Sequence, residues 1–198
     1  MATLTPAEAQ KLALRDRLLT DRRRRPLVEV GQAAQLVARH LADCPEVRRA
    51  ATVAAYISVG QEPGTGPLVE LLSAAGKRIV LPVLLPDNDL DWAAYTGPDG
   101  LVAAGRGLLE PSGPRLGRDA LATADVVLVP ALAVDRAGMR LGRGGGSYDR
   151  ALGRVPVGTF VCALLYDGEV LDEVPREDHD RPVTAVATPS GVSRTASA

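Results

Sequence analysis

Uninterrupted runs of apolar residues constrain the fold of this chain more than any other feature. Residues 125–130 contain Val-Val-Leu-Val, and residues 157–165 end in Val-Cys-Ala-Leu-Leu. A strand with one wet face alternates apolar and polar residues, whereas a fully apolar strand is typical of a parallel sheet covered on both faces. Helical patterns separate these strands. The chain therefore predicts an α/β, Rossmann-like fold with three layers, in which a mainly parallel open sheet carries helices on both faces.

Caps, periodicity and turn residues predict the other elements. Thr5-Pro6-Ala7-Glu8 is typical of a helix start, because it combines an N-cap Thr, a Pro and a capping-box Glu. We expect residues 97–118, rich in Gly and Pro, to be a long surface excursion, and residues 190–198 to fray. No linker separates two units, so residues 1–198 are expected to form one domain. Further helices are expected at 26–42 and 68–75, and further strands at 51–58, 78–83, 90–95 and 184–187.

Composition narrows the class of protein. Hydrophobic residues make up 46% of the 198 residues, which fits a globular protein, and the net charge of −1 gives no global attraction to nucleic acid or membrane. No apolar run reaches the ~20 residues of a membrane span, and the start of the chain does not resemble a signal peptide. Cys44 and Cys162 have no Cys or His at metal-ligand spacing, so we expect reduced thiols in a cytoplasmic protein.

Two basic features leave alternatives open. The run Arg22–Arg25 is interpreted as a solvated helix end rather than an RNA or membrane patch, because no aromatic residues are interleaved with it. Lys77 stands in a turn-like segment and is expected to be solvated. Lys11, the only other lysine, lies four residues before Arg15 and therefore shares a helix face with it. That face is either solvated or aimed at an anion.

The segment from Arg140 to Asp149 carries the clearest functional signal. It follows the apolar strand and reads Arg-Leu-Gly-Arg-Gly-Gly-Gly-Ser-Tyr-Asp before a plausible helix. Glycines let backbone N–H groups approach an anion, a helix N-terminus adds partial positive charge, and Arg140 and Arg143 offer forked donors for phosphate oxygens. The carboxylate of Asp149 is suited to hold Mg²⁺ at those phosphates. We predict a nucleotide phosphate site, against the alternative of a flexible glycine-rich turn.

Several segments, taken in chain order, match one enzyme family. The block from Arg140-Leu141-Gly142 to Tyr148-Asp149-Arg150 carries the most specific motif, and Lys11 and Arg15 match a Lys-x-x-x-Arg helix. Residues 57–65, which include Glu62, match a strand followed by a Glu-x-x-Thr turn. Weaker matches are Leu81-Pro82, residues 107–111, Val174-Pro175 and His179-Asp180. Over nearly its whole length the chain resembles the 5-formyltetrahydrofolate cyclo-ligase family, the methenyltetrahydrofolate synthetases.

The resemblance implies an activity and a set of site residues. The activity is ATP-dependent cyclisation of 5-formyltetrahydrofolate to 5,10-methenyltetrahydrofolate, with Mg²⁺ required and with ADP and phosphate released. The implied partners are these two substrates, without nucleic acid or membrane. The implied residues are Lys11, Arg140 and Arg143 for catalysis; Lys11, Arg15, Arg140, Leu141, Gly142, Arg143, Gly144, Gly145, Gly146, Ser147 and Tyr148 for ATP; Ile57, Glu62 and Tyr148 for folate; and Asp149 and Asp180 for the metal.

Departures from the family pattern and competing functions stay open at this point. Val134 stands where the family often has Phe, Ser147 where it often has a first Tyr, and Glu169 where a Gln is common. Each departure is expected to change ring surface or charge near the folate side. Alternative functions are a sugar-phosphate or NAD-binding enzyme on a similar sheet, or a non-catalytic, RNA-binding or regulatory relative. The joint presence of Lys11 and Glu62 with the glycine-rich loop favours catalysis.

Overall fold

Five helices and twelve strands alternate along residues 5–197, the part of the chain that the computed structural model describes. The helices are α1 (Pro6–Arg23), α2 (Leu27–Asp43), α3 (Pro45–Arg49), α4 (Gly66–Ala74) and α5 (Ser147–Leu152). The strands are β1 (Thr52–Ala54), β2 (Arg78–Leu84), β3 (Leu90–Ala94), β4 (Leu101–Ala103), β5 (Leu109–Pro111), β6 (Val126–Pro130), β7 (Ala133–Asp135), β8 (Arg140–Leu141), β9 (Phe160–Leu164), β10 (Val170–Leu171), β11 (Ala185–Thr188) and β12 (Gly191–Arg194). Short 3₁₀ turns cover Pro98–Gly100, Gly105–Gly107, Arg118–Thr123 and Asp167–Glu169.

Seven strands form one sheet in the order β12-β11-β9-β6-β1-β2-β3. The strands from β11 to β2 run parallel, and antiparallel β12 and β3 form the edges. Val126 and Leu128 of β6 pack in one core cluster with α2 and α4, whereas Val127 and Val129 pack in a second cluster with α5 and Leu121. Because both faces of β6 are covered, the strand is apolar at every position. The predicted α/β fold with a mainly parallel sheet is confirmed.

The C-terminal segment, predicted to fray from residue 190, instead continues the sheet. Strand β12 pairs antiparallel with β11, and beyond it Thr195 Oγ1 donates to the carbonyl oxygen of Val183 at 2.7 Å. The backbone N–H of Ala196 donates to the carbonyl of Arg136 at 2.9 Å. The prediction was wrong because small polar residues indicate weak side-chain packing only. The free edge of β11 has backbone donors and acceptors that a returning strand satisfies.

The segment predicted as a surface excursion, residues 97–118, contains a β-hairpin. Its strands β4 and β5 pair antiparallel, and the carboxylate of Glu110 accepts a hydrogen bond from the backbone N–H of Leu84 at 2.9 Å. That bond attaches the hairpin to the end of β2. Gly and Pro therefore mark the turns of this segment and not a lack of structure.

A small second sheet, β10-β7-β8, supports the start of the glycine-rich loop. Strand β8 pairs antiparallel with β7, and Leu18 of α1 packs with Leu132, Leu141 and Val174. The turn between β7 and β8 contains Gly138 with φ of +88°, where an added Cβ would lie 2.3 Å from a backbone oxygen. Only glycine fits at this position. The turn leads into β8, and so it sets the position at which Arg140 and the glycine-rich loop begin beside α1.

The prediction of a solvated helix end for Arg22–Arg25 is wrong for Arg22 and Arg25, whereas the two arginines between them are exposed. Arg22 is 3% exposed, and its Nε and Nη2 each lie 2.7 Å from an oxygen of Glu169. The guanidinium of Arg25 lies 3.9 Å from the ring centroid of Tyr166. Arg22 follows Leu18 by one helical turn and so shares its buried face, a periodicity that outweighs the preference of Arg for water.

The prediction that Lys77 is solvated is wrong, whereas the structure agrees with free thiols at Cys44 and Cys162. Lys77 is not simply solvated, because its Nζ donates to the carbonyls of Arg48 and Ala50 at 3.0 and 2.6 Å and so satisfies the end of α3. Cys44 and Cys162 are both free and buried, and burial raises the pKa of each thiol. No helix within the described residues has the length and apolar character to cross a membrane.

Candidate active site

A cleft of about 670 Å³ opens at the carboxyl ends of three parallel strands. Residues that follow β1, end β2 and follow β6 line it, together with α1, the glycine-rich loop and the β4–β5 hairpin. Ligands of open α/β sheets bind at this edge, and the volume suits a small molecule. All the site residues expected from the sequence line this one cleft, although they come from distant parts of the chain.

Lys11 is a buried cation at the charged end of the cleft. It is only 4% exposed, and its Nζ lies 2.6 Å from Glu177 Oε2 and 2.6 Å from Asp180 Oδ2. Burial by itself would lower the pKa of Lys11, but the hydrogen bonds that its ammonium group donates to Asp180 and Glu177 outweigh burial and raise the pKa. The solvated-face alternative is therefore wrong, and the anions that Lys11 meets in this structure are carboxylates of the same chain.

The other basic residues predicted at the phosphates hold the glycine-rich loop. Arg15 Nε donates to the carbonyl oxygen of Gly142 at 2.9 Å, which ties the loop to α1. Arg140 is 5% exposed, and its Nη2 donates to Asp149 Oδ1 at 2.7 Å. Its Nε is buried without a hydrogen-bond partner among residues 5–197, whereas the Arg143 side chain is 53% exposed. The loop therefore presents to the cleft one buried guanidinium, held by Asp149, and one half-exposed guanidinium beside Glu62.

Two of the three consecutive loop glycines have backbones that favour glycine. Gly144 has φ of +96° and Gly146 has φ of +67°, both in the region that side chains with a Cβ rarely adopt. Gly145 lies outside that region, and a Cβ added there would meet only Ser147 Oγ, at 3.6 Å. The loop leads directly into helix α5, which has six residues.

We expect Gly144→Val to weaken MgATP binding about tenfold or more and Gly145→Ala to change it little. The valine introduces about 1–3 kcal/mol of backbone strain at φ of +96° and displaces Arg15, whose Cζ lies 3.5 Å from the added Cβ. Isothermal titration with MgATP, after circular dichroism has confirmed folding, measures both variants. Equal affinities for the two variants would mean that the loop conformation does not serve the nucleotide.

The residues predicted to bind folate lie at the same cleft. Glu62 is 8% exposed, its Oε2 accepts from the backbone N–H of Val59 at 2.9 Å, and its Oε1 lies 3.3 Å from Arg143 Nε. Burial, followed by the negative charge of Glu62, raises the pKa of Tyr148 and keeps its hydroxyl protonated. Ile57 completes this part of the wall. Glu62 thus lies between the apolar part of the cleft and the glycine-rich loop.

The β4–β5 hairpin also lines the cleft, although the Gly and Pro pattern of residues 97–118 predicted only a surface excursion. Arg106, Leu108, Leu109 and Glu110 all contribute to its wall. Arg106 Nη2 donates to Asn88 Oδ1 at 2.9 Å, so the hairpin contacts the β2–β3 turn. Arg150 Nη2 donates to the carbonyls of Asn88 and of Gly145 in the glycine-rich loop, at 2.8 and 2.7 Å. The turn at Asn88 therefore joins two walls of the cleft, and no local sequence pattern signals a contact across such distances.

The two predicted metal ligands approach the same edge of the cleft without forming one compact group. Asp149 Oδ1 accepts from Arg140 Nη2, and the backbone N–H of Arg181 lies 3.4 Å from it. Within the described residues, the group with ligand atoms within 4.8 Å of one another is Glu177, His179 and Asp180, and Lys11 already contacts two of these carboxylates. Carboxylate oxygens are suitable ligands for Mg²⁺, so the donor chemistry fits that ion.

The departures from the family pattern lie in different surroundings than expected. Val134 is fully buried in the second core cluster, and Glu169 is buried against Arg22; neither lines the cleft. The expectation that these two positions alter the folate side was therefore wrong. Ser147 does line the cleft, beside Tyr148.

Comparison with known proteins identifies the family to which the chain is similar. Residues 7–189 match the model of the 5-formyltetrahydrofolate cyclo-ligase family. A 5-formyltetrahydrofolate cyclo-ligase of Mycolicibacterium smegmatis is 48% identical over 143 residues, 70% of this chain and 73% of that protein. The Escherichia coli K12 enzyme of the same name is 37% identical over 172 residues, 83% and 90% of the two chains.

A solved structure shows the same architecture. The solution structure of 5,10-methenyltetrahydrofolate synthetase from Aquifex aeolicus superposes with a TM-score of 0.81 at 28% identity, and covers 94% of this chain and 93% of its own. The relatives are ligases by name, so the enzyme class expected from the sequence is confirmed. The matched range, the identities over most of each chain and the shared fold agree: this chain belongs to the 5-formyltetrahydrofolate cyclo-ligase family.

Proposed function

We propose that the protein cyclises 5-formyltetrahydrofolate to 5,10-methenyltetrahydrofolate, using ATP and Mg²⁺ and releasing ADP and phosphate. The observation that carries the proposal is that the residues predicted for ATP and the residues predicted for folate line the same cleft. A glycine-rich loop with Arg140 and Arg143 forms one end, and Ile57, Glu62 and Tyr148 lie beside it. A reaction between a nucleotide and a ring-bearing substrate needs such neighbouring sites.

The formyl oxygen must be activated before the ring can close. In the proposed reaction the formyl oxygen attacks the γ-phosphorus of ATP and ADP leaves, which gives a phosphate ester of an N5 iminium. N10 then attacks the iminium carbon and loses its proton, and the oxygen departs with phosphate. Phosphoryl transfer requires mainly positioning and charge neutralisation from the protein. Arg140 is held by Asp149 in a buried position, and the half-exposed Arg143 is proposed to contact the phosphates from the other side of the loop.

Lys11 supplies the third positive charge in this proposal. Glu177 and Asp180 hold its ammonium group in the cleft before substrate binds, so little side-chain entropy is lost on binding. Asp149 and Asp180 would hold Mg²⁺. The ion would lower the charge repulsion between the triphosphate and the attacking formyl oxygen.

Glu62 is proposed to orient the folate ring. Its carboxylate is held by the backbone N–H of Val59, so it projects in one conformation and can accept hydrogen bonds from folate N–H groups. Ile57 offers an apolar contact for the ring. The Arg140 guanidinium carbon lies 6.0 Å from the ring centroid of Tyr148, which lines the cleft together with Glu62, and we propose that Tyr148 contacts one of the two substrates.

We expect Glu62→Gln to lower kcat/KM for 5-formyltetrahydrofolate roughly tenfold and to leave the affinity for ATP within about twofold. A charge-assisted hydrogen bond contributes about 1.5–3 kcal/mol, whereas the lost contact with half-exposed Arg143 contributes little. Steady-state kinetics with each substrate varied in turn separate the two effects. A defect confined to ATP would remove Glu62 from the folate site.

Ligand-dependent thermal denaturation tests the proposed pair of substrates. A ligand that binds only the folded protein raises its melting temperature. We expect MgATP and 5-formyltetrahydrofolate each to raise it, and single-stranded RNA or a sugar phosphate to leave it unchanged. Stabilisation by RNA alone would indicate a non-catalytic relative of the family.

A further inference from the structure

Tyr56 is a buried cleft residue whose hydroxyl has no partner. The side chain follows β1, lines the cleft and is 4% exposed. Within residues 5–197 its hydroxyl oxygen has no hydrogen-bond partner. Leaving a buried polar group unsatisfied costs free energy, so native proteins rarely retain one without a reason. The neighbouring Tyr166 shows the usual arrangement, because its hydroxyl donates to the carbonyl of Gln61 at 3.2 Å.

The surroundings of this hydroxyl place it among the residues assigned to folate. Tyr56 directly precedes Ile57 and lines the same cleft as Glu62 and Tyr148. Its ring packs in the first core cluster, so the hydroxyl cannot rotate away into solvent. Burial raises the pKa of Tyr56 well above its usual range, and the charge of Glu62 adds to this, so the hydroxyl stays a neutral donor and acceptor.

We propose that the Tyr56 hydroxyl is a substrate-positioning group that is satisfied only when 5-formyltetrahydrofolate occupies the cleft. The proposal rests on the proposed function. The fused ring of that substrate carries both N–H donors and a carbonyl acceptor, and a phenol can pair with either. The free protein therefore retains an unsatisfied group, and substrate binding supplies its partner.

This role predicts opposite effects of one substitution on stability and on binding. In Tyr56→Phe the unsatisfied hydroxyl disappears, so we expect the melting temperature of the free protein to rise by about 2–4 °C. We expect the affinity for 5-formyltetrahydrofolate to fall roughly tenfold, with the affinity for MgATP unchanged. A residue with a purely structural role would not change these two quantities in opposite directions.

Tyr166→Phe is the matched control, because it removes the hydroxyl of a buried tyrosine that has a partner and does not line the cleft. We expect its melting temperature to fall and its folate affinity to stay closer to wild type. Differential scanning calorimetry and isothermal titration measure both variants. Unchanged folate affinity in Tyr56→Phe, with normal binding by the wild type, would overturn the role of Tyr56 alone. Failure of the wild type to bind 5-formyltetrahydrofolate would overturn the proposed function and this role together.

Discussion

Replacing Lys11 with Met is expected to lower turnover of 5-formyltetrahydrofolate about a hundredfold or more while the protein stays folded. In the proposed reaction the ammonium group neutralises charge that develops during phosphoryl transfer. Removing one such preorganised donor typically costs about 10²–10³ in kcat. Met keeps the length and apolar stem of the side chain, so the packing of α1 changes little.

The same substitution leaves Glu177 and Asp180 without their cation. Lys11 Nζ lies 2.6 Å from each carboxylate, and two unneutralised carboxylates so close together repel an incoming triphosphate. We therefore expect KM for MgATP to rise as well. Steady-state kinetics with MgATP varied measure both effects.

Arg17→Met is the control, since Arg17 is an exposed basic residue on the same helix. It should retain wild-type kinetics. If Lys11→Met matched Arg17→Met, Lys11 would serve only to hold the segment that contains Glu177.

Glu169→Ala is expected to reduce the free energy of unfolding by about 3–5 kcal/mol, the typical cost of breaking a buried ion pair. Arg22 and Glu169 are 3% and 5% exposed, and Arg22 Nη2 also donates to the carbonyl of Ala131 at 2.7 Å. Without the carboxylate, the guanidinium remains buried and uncompensated. Urea denaturation monitored by circular dichroism gives the difference.

The double variant Arg22→Met/Glu169→Leu separates the pair from the packing around it. Replacing both charges with apolar side chains of similar volume removes the uncompensated charge, so this variant should be much more stable than Glu169→Ala. Equal loss in both variants would mean that the packing, and not the ion pair, stabilises the end of α1. This pair also accounts for Glu at position 169, where the family often has Gln: the carboxylate matches Arg22 and not the substrate.

The parallel sheet could be predicted from the sequence because the patterns that indicate it lie within short, continuous segments. The apolar run in β6 reports burial on both faces, and the capping box at Thr5 marks the start of α1, where both capping hydrogen bonds are present. The glycine-rich loop was also identified from neighbouring residues, because its four glycines lie close to arginines. The structure places this loop at the cleft, and its role in phosphate binding stays a prediction. Features of this kind depend on the spacing of neighbouring residues alone.

Contacts between distant segments were not predictable in this way. The burial of Arg22 depends on Glu169, which lies 147 positions away. Lys11 meets carboxylates 166 and 169 positions along the chain. Local rules assign a charged residue to solvent unless its partner is known, and the partner becomes known only when the chain has folded. For the same reason the sequence could not distinguish Tyr56, whose hydroxyl is unsatisfied, from an ordinary residue of the predicted strand 51–58.

The formation of the methenyl product tests the account most directly. The protein is incubated with 5-formyltetrahydrofolate and MgATP while the absorbance of 5,10-methenyltetrahydrofolate is followed and ADP is measured in the same samples. We predict product only when ATP and Mg²⁺ are both present, with one ADP released for each methenyl group formed. Absence of the product from folded protein that binds both substrates, or product formed without ATP, would contradict the assignment of this cleft as a cyclo-ligase active site.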